Sequence, residues 1–166
     1  NITNKVAVTT GGASGPGRAT AEMIIQNGGK VAIFDLSETL AQQAASELGN
    51  QAAPDFVNVT DNGSIQAVVD AVASDFGRID INVNCAGIGT ASRTLRKKEG
   101  ALAITKFNFF IQVNLIGTFS ALSKCAVTMQ IRTMQIKESE NEDGEKGVVI
   151  NKASETAFDS QIGQVP

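Results

Sequence analysis

The chain has 166 residues, 42% of them hydrophobic and 19% charged, with a formal net charge of −3. That length suits one domain with a sizeable core, and the composition is too apolar for a disordered chain. The absence of a basic block argues against a cationic nucleic-acid face, and the absence of any histidine excludes His-based metal sites and Ser-His-Asp triads. No stretch is expected to approach the ~20 apolar residues of a membrane span.

The opening residues, Asn1 to Lys5, show no signal or transit pattern and run straight into a strand. Lys5 to Thr10 is a β-branched run ending in glycines, and Pro16 to Asn27 follows as a helix stopped by Gly28 and Gly29. Lys30 to Phe34 is the second strand. Ser37 then caps a helix with Leu40, Ala44 and Leu48 on one face and Gly49 past its end. A third strand is expected at Asp55 to Val59. Asp61 or Asn62 caps the next helix, which carries Ile65, Val68, Val69, Val72 and Phe76.

Ile79 to Val83 is the fourth strand and Arg93 to Gly100 a polar, basic loop. A long helical segment covers about Leu102 to Met134, its apolar series including Phe107, Phe110, Ile111, Leu115, Phe119 and Leu122. The acidic stretch Lys137 to Lys146 reads as a solvated surface loop, Gly147 to Asn151 as a fifth strand, and the last fifteen residues as irregular. Strands and helices alternating at this spacing imply βαβ units, right-handed crossovers and a doubly wound parallel α/β sheet of Rossmann type. No repeat or second domain is visible, so residues 1–166 read as one domain.

Thr10 to Gly17 (TGGASGPG) lies between the first strand and the first helix. A tight turn there needs residues free to take positive φ, and a pyrophosphate needs bare backbone and a helix N-terminus. Pro16 fits the first helical turn, where its missing N–H would be unpaired anyway. A generic glycine turn is the alternative. A P-loop is rejected, because Gly17 is followed by Arg18 and Ala19 where Lys and Ser/Thr are required.

Asp35 ends the second strand, eighteen residues after Gly17. An acid there accepts from the ribose hydroxyls of NAD and repels the 2′-phosphate of NADP; the alternative is a helix-start residue ahead of Ser37. Small residues at Asn84-Cys85-Ala86-Gly87 let the fourth strand end close to a ligand. Asn114, inside the long helix, and Ser154, after the fifth strand, are weak signals singly. Cys85 and Cys125 read as reduced thiols, which suits a reducing compartment: the cytoplasm, or alternatively the mitochondrial matrix.

Together these motifs resemble the short-chain dehydrogenase/reductase family, over essentially the whole chain. Thr10, Gly11, Gly15 and Gly17 match its T-G-x-x-x-G-x-G loop, and Asn84 to Gly87 its N-N-A-G motif with Cys85 in second place. Asn114 is similar to its helix asparagine and Ser154 to its catalytic serine. Ala91 to Leu95, Lys97 to Gly100, the acidic loop and Ala157 to Gln164 are similar to the branch acting on 3-hydroxyacyl-CoA and hydroxysteroids.

The resemblance implies an NAD-dependent oxidoreductase interconverting a secondary alcohol and a ketone, in a homotetramer. It implies a cofactor site at Gly11, Ser14, Gly15, Pro16, Gly17, Asp35, Asn58, Val59, Cys85, Ala86 and Gly87, with no metal. Ser154 would hydrogen-bond the substrate oxygen and Asn114 would help hold a relay water. Four departures stand out: Asn58 for the usual aspartate near the adenine, Pro16 for Leu or Ile, Lys152 for a small polar residue near Ser154, and Pro166 for a small residue before the tyrosine.

In the family the tyrosine base follows the serine by roughly a dozen residues, and its lysine lies about four further on. This chain contains no tyrosine, and Pro166 is twelve residues after Ser154. The domain is therefore expected to be truncated at its C-terminal side relative to the family. The 166-residue chain alone is expected to be inactive, with a dinucleotide-binding module or a fragment without catalysis as the alternative reading.

Overall fold

The computed structural model describes residues 1–89, 93–96, 100–135 and 146–154, with the side chains of 96 and 132–135 excepted. The segments 137–145 and 157–164, and parts of 91–99, lie outside the described residues.

Five parallel strands form the main sheet: β1 (Val6–Thr10), β2 (Lys30–Asp35), β3 (Ala52–Phe56), β4 (Ile81–Asn84) and β7 (Val148–Asn151), in the order β3-β2-β1-β4-β7. The order reverses direction at β1, which places a crevice between the carboxyl ends of β1 and β4. Every residue of β1 is buried, as a strand covered on both faces requires. Helices α1 (Gly15–Gln26) and α2 (Glu38–Leu48) sit over a core of Ala21, Ile24, Val31, Ile33, Ala44 and Ile81. Helix α3 (Asn62–Phe76) and the later helix α5 (Thr118–Gln135) cover the other core, built on Val8, Phe34, Ile65, Val69, Ala121 and Cys125.

Caps fall where the sequence places them. Ser37 accepts from the Leu40 amide, Asp61 accepts from the Gly63 and Ser64 amides, and Gly77 ends α3 at φ 72°. The N-terminal end of β4 is tied to β1 by Asp80, which accepts from the Val6 amide at 2.9 Å and from Arg78 Nε at 2.6 Å. Burial would raise the Asp80 pKa. The hydrogen bonds from Arg78 and Val6, with the charges of Arg78 and Lys5, outweigh it and hold the carboxyl below the usual carboxylate range.

Several expectations are corrected. The third strand is Ala52–Phe56, earlier than Asp55 to Val59, because the ladder to β2 ends at Phe56 and residues 57–60 run on beside the crevice. Pro54 is tolerated because β3 is an edge strand. The segment read as a loop carries a short antiparallel pair, β5 (Leu95–Arg96) and β6 (Gly100–Ala101). On α2 the buried face is Ala41, Ala44 and Ala45, with Leu40 exposed: small residues let the helix approach the sheet closely.

The long helix is α4 (Ile104–Ile111) and α5, joined by a π-helical turn at Gln112–Gly117. Its sheet-facing stripe is Val113, Gly117, Ala121, Cys125 and Met129, whereas the expected Leu115 and Phe119 are 59% and 64% exposed. By length and composition Ile104–Ile131 does reach the apolarity of a membrane span, contrary to the expectation above. The reason is that this helix is apolar on two sides, one packed on the sheet and one outward.

Candidate dinucleotide site

The loop after β1 closes tightly on its neighbours. Gly11 has φ 63°, and a Cβ there would lie 2.9 Å from the Ala86 amide nitrogen. A Cβ on Gly17 would lie 2.2 Å from the Gly11 carbonyl oxygen, so the first turn of α1 can pack on the loop only without a side chain. Gly15, at φ 50°, has nothing within 4 Å of its would-be Cβ and faces open space. Ser14 is the N-cap in extended conformation, but its hydroxyl makes no cap hydrogen bond. The start of α1 therefore presents backbone N–H groups and the positive end of a helix dipole to the crevice.

Asp35 closes the other side of the loop. One carboxylate oxygen accepts from the Ala13 amide at 3.1 Å and the other from the Ser37 amide at 3.0 Å. Each oxygen keeps a free acceptor direction. From β4, the Cys85 amide donates to the Thr10 carbonyl at 3.1 Å and the Ala86 amide to Thr10 Oγ1 at 3.2 Å, which fixes the strand end against the loop.

A cleft of about 500 Å³ runs along this edge of the sheet. Gly11, Ser14, Gly15, Pro16 and Gly17 form its floor, Asp35, Asn58 and Val59 one end, and Cys85, Ala86 and Gly87 the side toward β4. Every cofactor residue expected from the sequence thus lines one cavity. Asn58 Oδ1 already accepts from the Thr60 amide and hydroxyl at 3.0 and 2.8 Å, so the amide caps its own turn.

Asn114 and Ser154 line a second cavity of about 680 Å³, which shares Cys85, Ala86, Gly87, Ile88 and Lys152 with the first. Asn114 Oδ1 accepts from the Ile88 amide at 2.8 Å, and its Nδ2 donates to the Ile88 carbonyl at 2.9 Å. The side chain thus clamps a backbone unit, and Gly87 leaves it room, since a Cβ there would sit 3.3 Å from Asn114 Oδ1. Its own carbonyl accepts from Thr118 Oγ1 at 2.8 Å. Asn114 lies in the π turn, and such turns recur at functional sites.

Sequence reasoning missed Ile88, Phe109 and Thr118 as lining residues. The signals were present: Ile88 follows the Asn84 to Gly87 motif, and Thr118 is one turn beyond Asn114. Cys85 has its thiol pKa raised by burial, opposed by the nearby charge of Lys152. Among the described residues no group of three or more His, Cys, Asp or Glu side chains is placed to hold a metal ion.

Comparison with known proteins adds an independent line. Residues 5–166 match the family model described as short chain dehydrogenase. The 3-hydroxyacyl-CoA dehydrogenase type-2 of Drosophila melanogaster is 39% identical over 164 residues, covering 98% of this chain and 62% of that protein. The Homo sapiens protein of the same name is 36% identical over 165 residues, covering 99% and 61%. The crystal structure of the 3-ketoacyl-(acyl-carrier-protein) reductase from Brucella melitensis complexed with NADH superposes with a TM-score of 0.85 at 27% identity, covering 98% of this chain and 62% of that one. The chain therefore spans about three fifths of the length of the curated relatives it matches. With the loop, the strand-end motif and the fold all in agreement, this chain belongs to the short chain dehydrogenase family.

Proposed function

We propose that the cleft holds a nicotinamide adenine dinucleotide, with NAD preferred over NADP. We further propose that the whole protein interconverts a secondary alcohol and a ketone, on substrates of the 3-hydroxyacyl-CoA or hydroxysteroid type. The observation that carries the cofactor reading is Asp35, whose carboxylate sits at the end of β2 in the same cavity as the glycine loop. A carboxylate there accepts from ribose hydroxyls and repels a 2′-phosphate. The pyrophosphate would lie over Gly15 to Gly17, where bare backbone and the helix dipole meet it.

The dinucleotide, when bound, supplies the hydride acceptor. This chain's residues hold and orient. Ser154, at the rim of the second cavity, donates a hydrogen bond to the substrate oxygen, and Asn114 fixes the Ile88 backbone that separates the two cavities. The 166 residues contain no tyrosine to act as the base, which favours a second reading: taken alone, they bind the dinucleotide without turning over substrate. The substrate preference rests on the branch of the relatives named above.

The reading extends to a homo-oligomer, a tetramer, supported by the exposed Leu115, Ile116 and Phe119 on the outer face of the long helix. It also places the protein in a reducing compartment, cytoplasmic or mitochondrial, supported by two free thiols. Calorimetric titration of the 166-residue chain with NAD and NADP tests the cofactor reading. NAD binding at least tenfold tighter than NADP is expected, and equal affinities would overturn it. Turnover of 3-hydroxyacyl-CoA with NAD by these 166 residues would overturn the second reading.

A further inference from the structure

We infer that Lys152 makes the site discriminate between the two redox states of its nucleotide, favouring the reduced form. The inference rests on the cofactor reading above. The backbone amide of Lys152 donates to the Asn84 carbonyl at 3.0 Å, which pins the residue at the carboxyl end of β7 beside β4. The residue lines both the cleft and the second cavity. It is the only cationic residue among the described lining residues of either, and Asp35 is the only anionic one. The charge is felt locally, since it acts on the Cys85 thiol in the shared wall.

Sheet order sets which half of the ligand meets this charge. Asp35 ends β2 and Lys152 follows β7, with β1 and β4 between them. Three inter-strand steps separate the two by roughly 14 Å. With the adenosine ribose on Asp35 and the pyrophosphate over the α1 N-terminus, the nicotinamide half extends toward β4 and β7. The oxidised nicotinamide ring carries a formal positive charge that the reduced ring lacks. An ammonium at that end repels the oxidised ring and leaves the reduced ring unaffected. Lys152 is exposed, so water and salt screen the repulsion and an effect of about fivefold is expected, not several orders of magnitude.

The test is fluorescence or calorimetric titration of the protein with NADH and with NAD, in wild type and in Lys152→Met, Lys152→Arg and Lys152→Glu. Lys152→Met should tighten NAD binding about fivefold with NADH affinity unchanged, Lys152→Arg should keep the wild-type ratio, and Lys152→Glu should move it further than Met. Raising the salt concentration should shrink the wild-type preference and leave the Met variant's ratio flat. A Lys152→Met ratio equal to wild type, with both nucleotides binding, overturns this inference and leaves the cofactor reading standing. Failure of wild type to bind either nucleotide overturns the cofactor reading, and this inference with it.

Discussion

Asp35 Oδ2 accepts a hydrogen bond from the Ala13 amide at 3.1 Å, so the acid at the end of β2 is tied to the glycine loop after β1. The same carboxylate is thus placed both to shape the loop and to meet the ribose. Substitutions can separate the two roles. Asp35→Ala should weaken NAD binding about tenfold and narrow the gap to NADP. Asp35→Asn keeps an oxygen for the Ala13 amide but turns an NH2 toward the Ser37 amide, losing the charge and that one acceptor, so it should relax NADP exclusion with a smaller loss for NAD than Asp35→Ala. Paired titrations of each variant check this, and an unchanged NAD-to-NADP ratio in both would remove Asp35 from the assigned role.

Two neighbouring glycines should behave differently. Gly17→Ala puts a Cβ 2.2 Å from the Gly11 carbonyl oxygen, so loop or helix must shift. A loss of about 2–3 kcal/mol in stability and of nucleotide binding is expected. Gly15→Ala meets no atom within 4 Å and suffers only the strain of φ 50°, about 1 kcal/mol. Urea denaturation and nucleotide titration of the two variants should rank them in that order.

Asn114→Ala removes both hydrogen bonds to Ile88 and leaves its amide and carbonyl without that partner. A loss of about 1–2 kcal/mol is expected, held down by the exposure of the pair. The sharper readout is hydrogen exchange, which should speed up at the Ile88 amide in the variant and stay unchanged in the β1 core.

Stability should carry a pH dependence from Asp55. Burial, with Asp75 nearby, raises its pKa from 3.8 to about 6. A raised folded pKa means the protonated form is favoured by folding, so this contribution is present below about pH 4 and is lost as pH rises through about 6. Asp55→Asn should therefore stabilise the protein at pH 8 by on the order of 1–2 kcal/mol and change little at pH 4. Denaturation midpoints at the two values check the sign. Asp80 acts oppositely, since its lowered pKa gives stability that fades as pH falls through the acid range.

The two cysteines should separate by reactivity. Burial pushes the Cys125 thiol, on the sheet-facing side of α5, up to about 12, whereas Cys85 is half-buried in the cleft wall. Native alkylation followed by mass analysis should label Cys85 slowly and Cys125 not at all. NADH should protect Cys85; labelling at the same rate with saturating NADH would place the ligand elsewhere.

Much of this was legible because each signal was local. The glycine run, Asp35 at a strand end and the Asp61 cap each follow from residues within a few positions. What escaped depended on partners distant in sequence. The buried face of α2 is set by how closely Ala41, Ala44 and Ala45 approach β2 and β3, which periodicity cannot weigh against Leu40. The end of β3 is set by its ladder to β2, so the apolar Val57 and Val59 past it drew the expected strand too far. On the long helix, apolar residues on two sides left the buried side undecided, and the bidentate role of Asn114 needs Ile88, 26 residues away.

The π turn at Gln112–Gly117 has a consequence for insertions and deletions. The helix must satisfy two partners at once: Ile88, held by Asn114, and the sheet with Val59, met by Gly117 and the small residues after it. A continuous α-helix turns about 100° per residue and offers one phase only. The wider turn absorbs an additional residue and joins two phases. Deleting one residue there would restore regular α-helix with both halves in phase, whereas drawing all six residues into regular α-helix would rotate one half against the other by about 100°. Asn114 could then keep Ile88, or Gly117 to Met129 could keep the sheet, but not both. Because the opposite side carries Leu115 and Phe119, the rotated helix would still find apolar contacts, and the damage would appear as a misfitted cleft before it appeared as an unfolded chain.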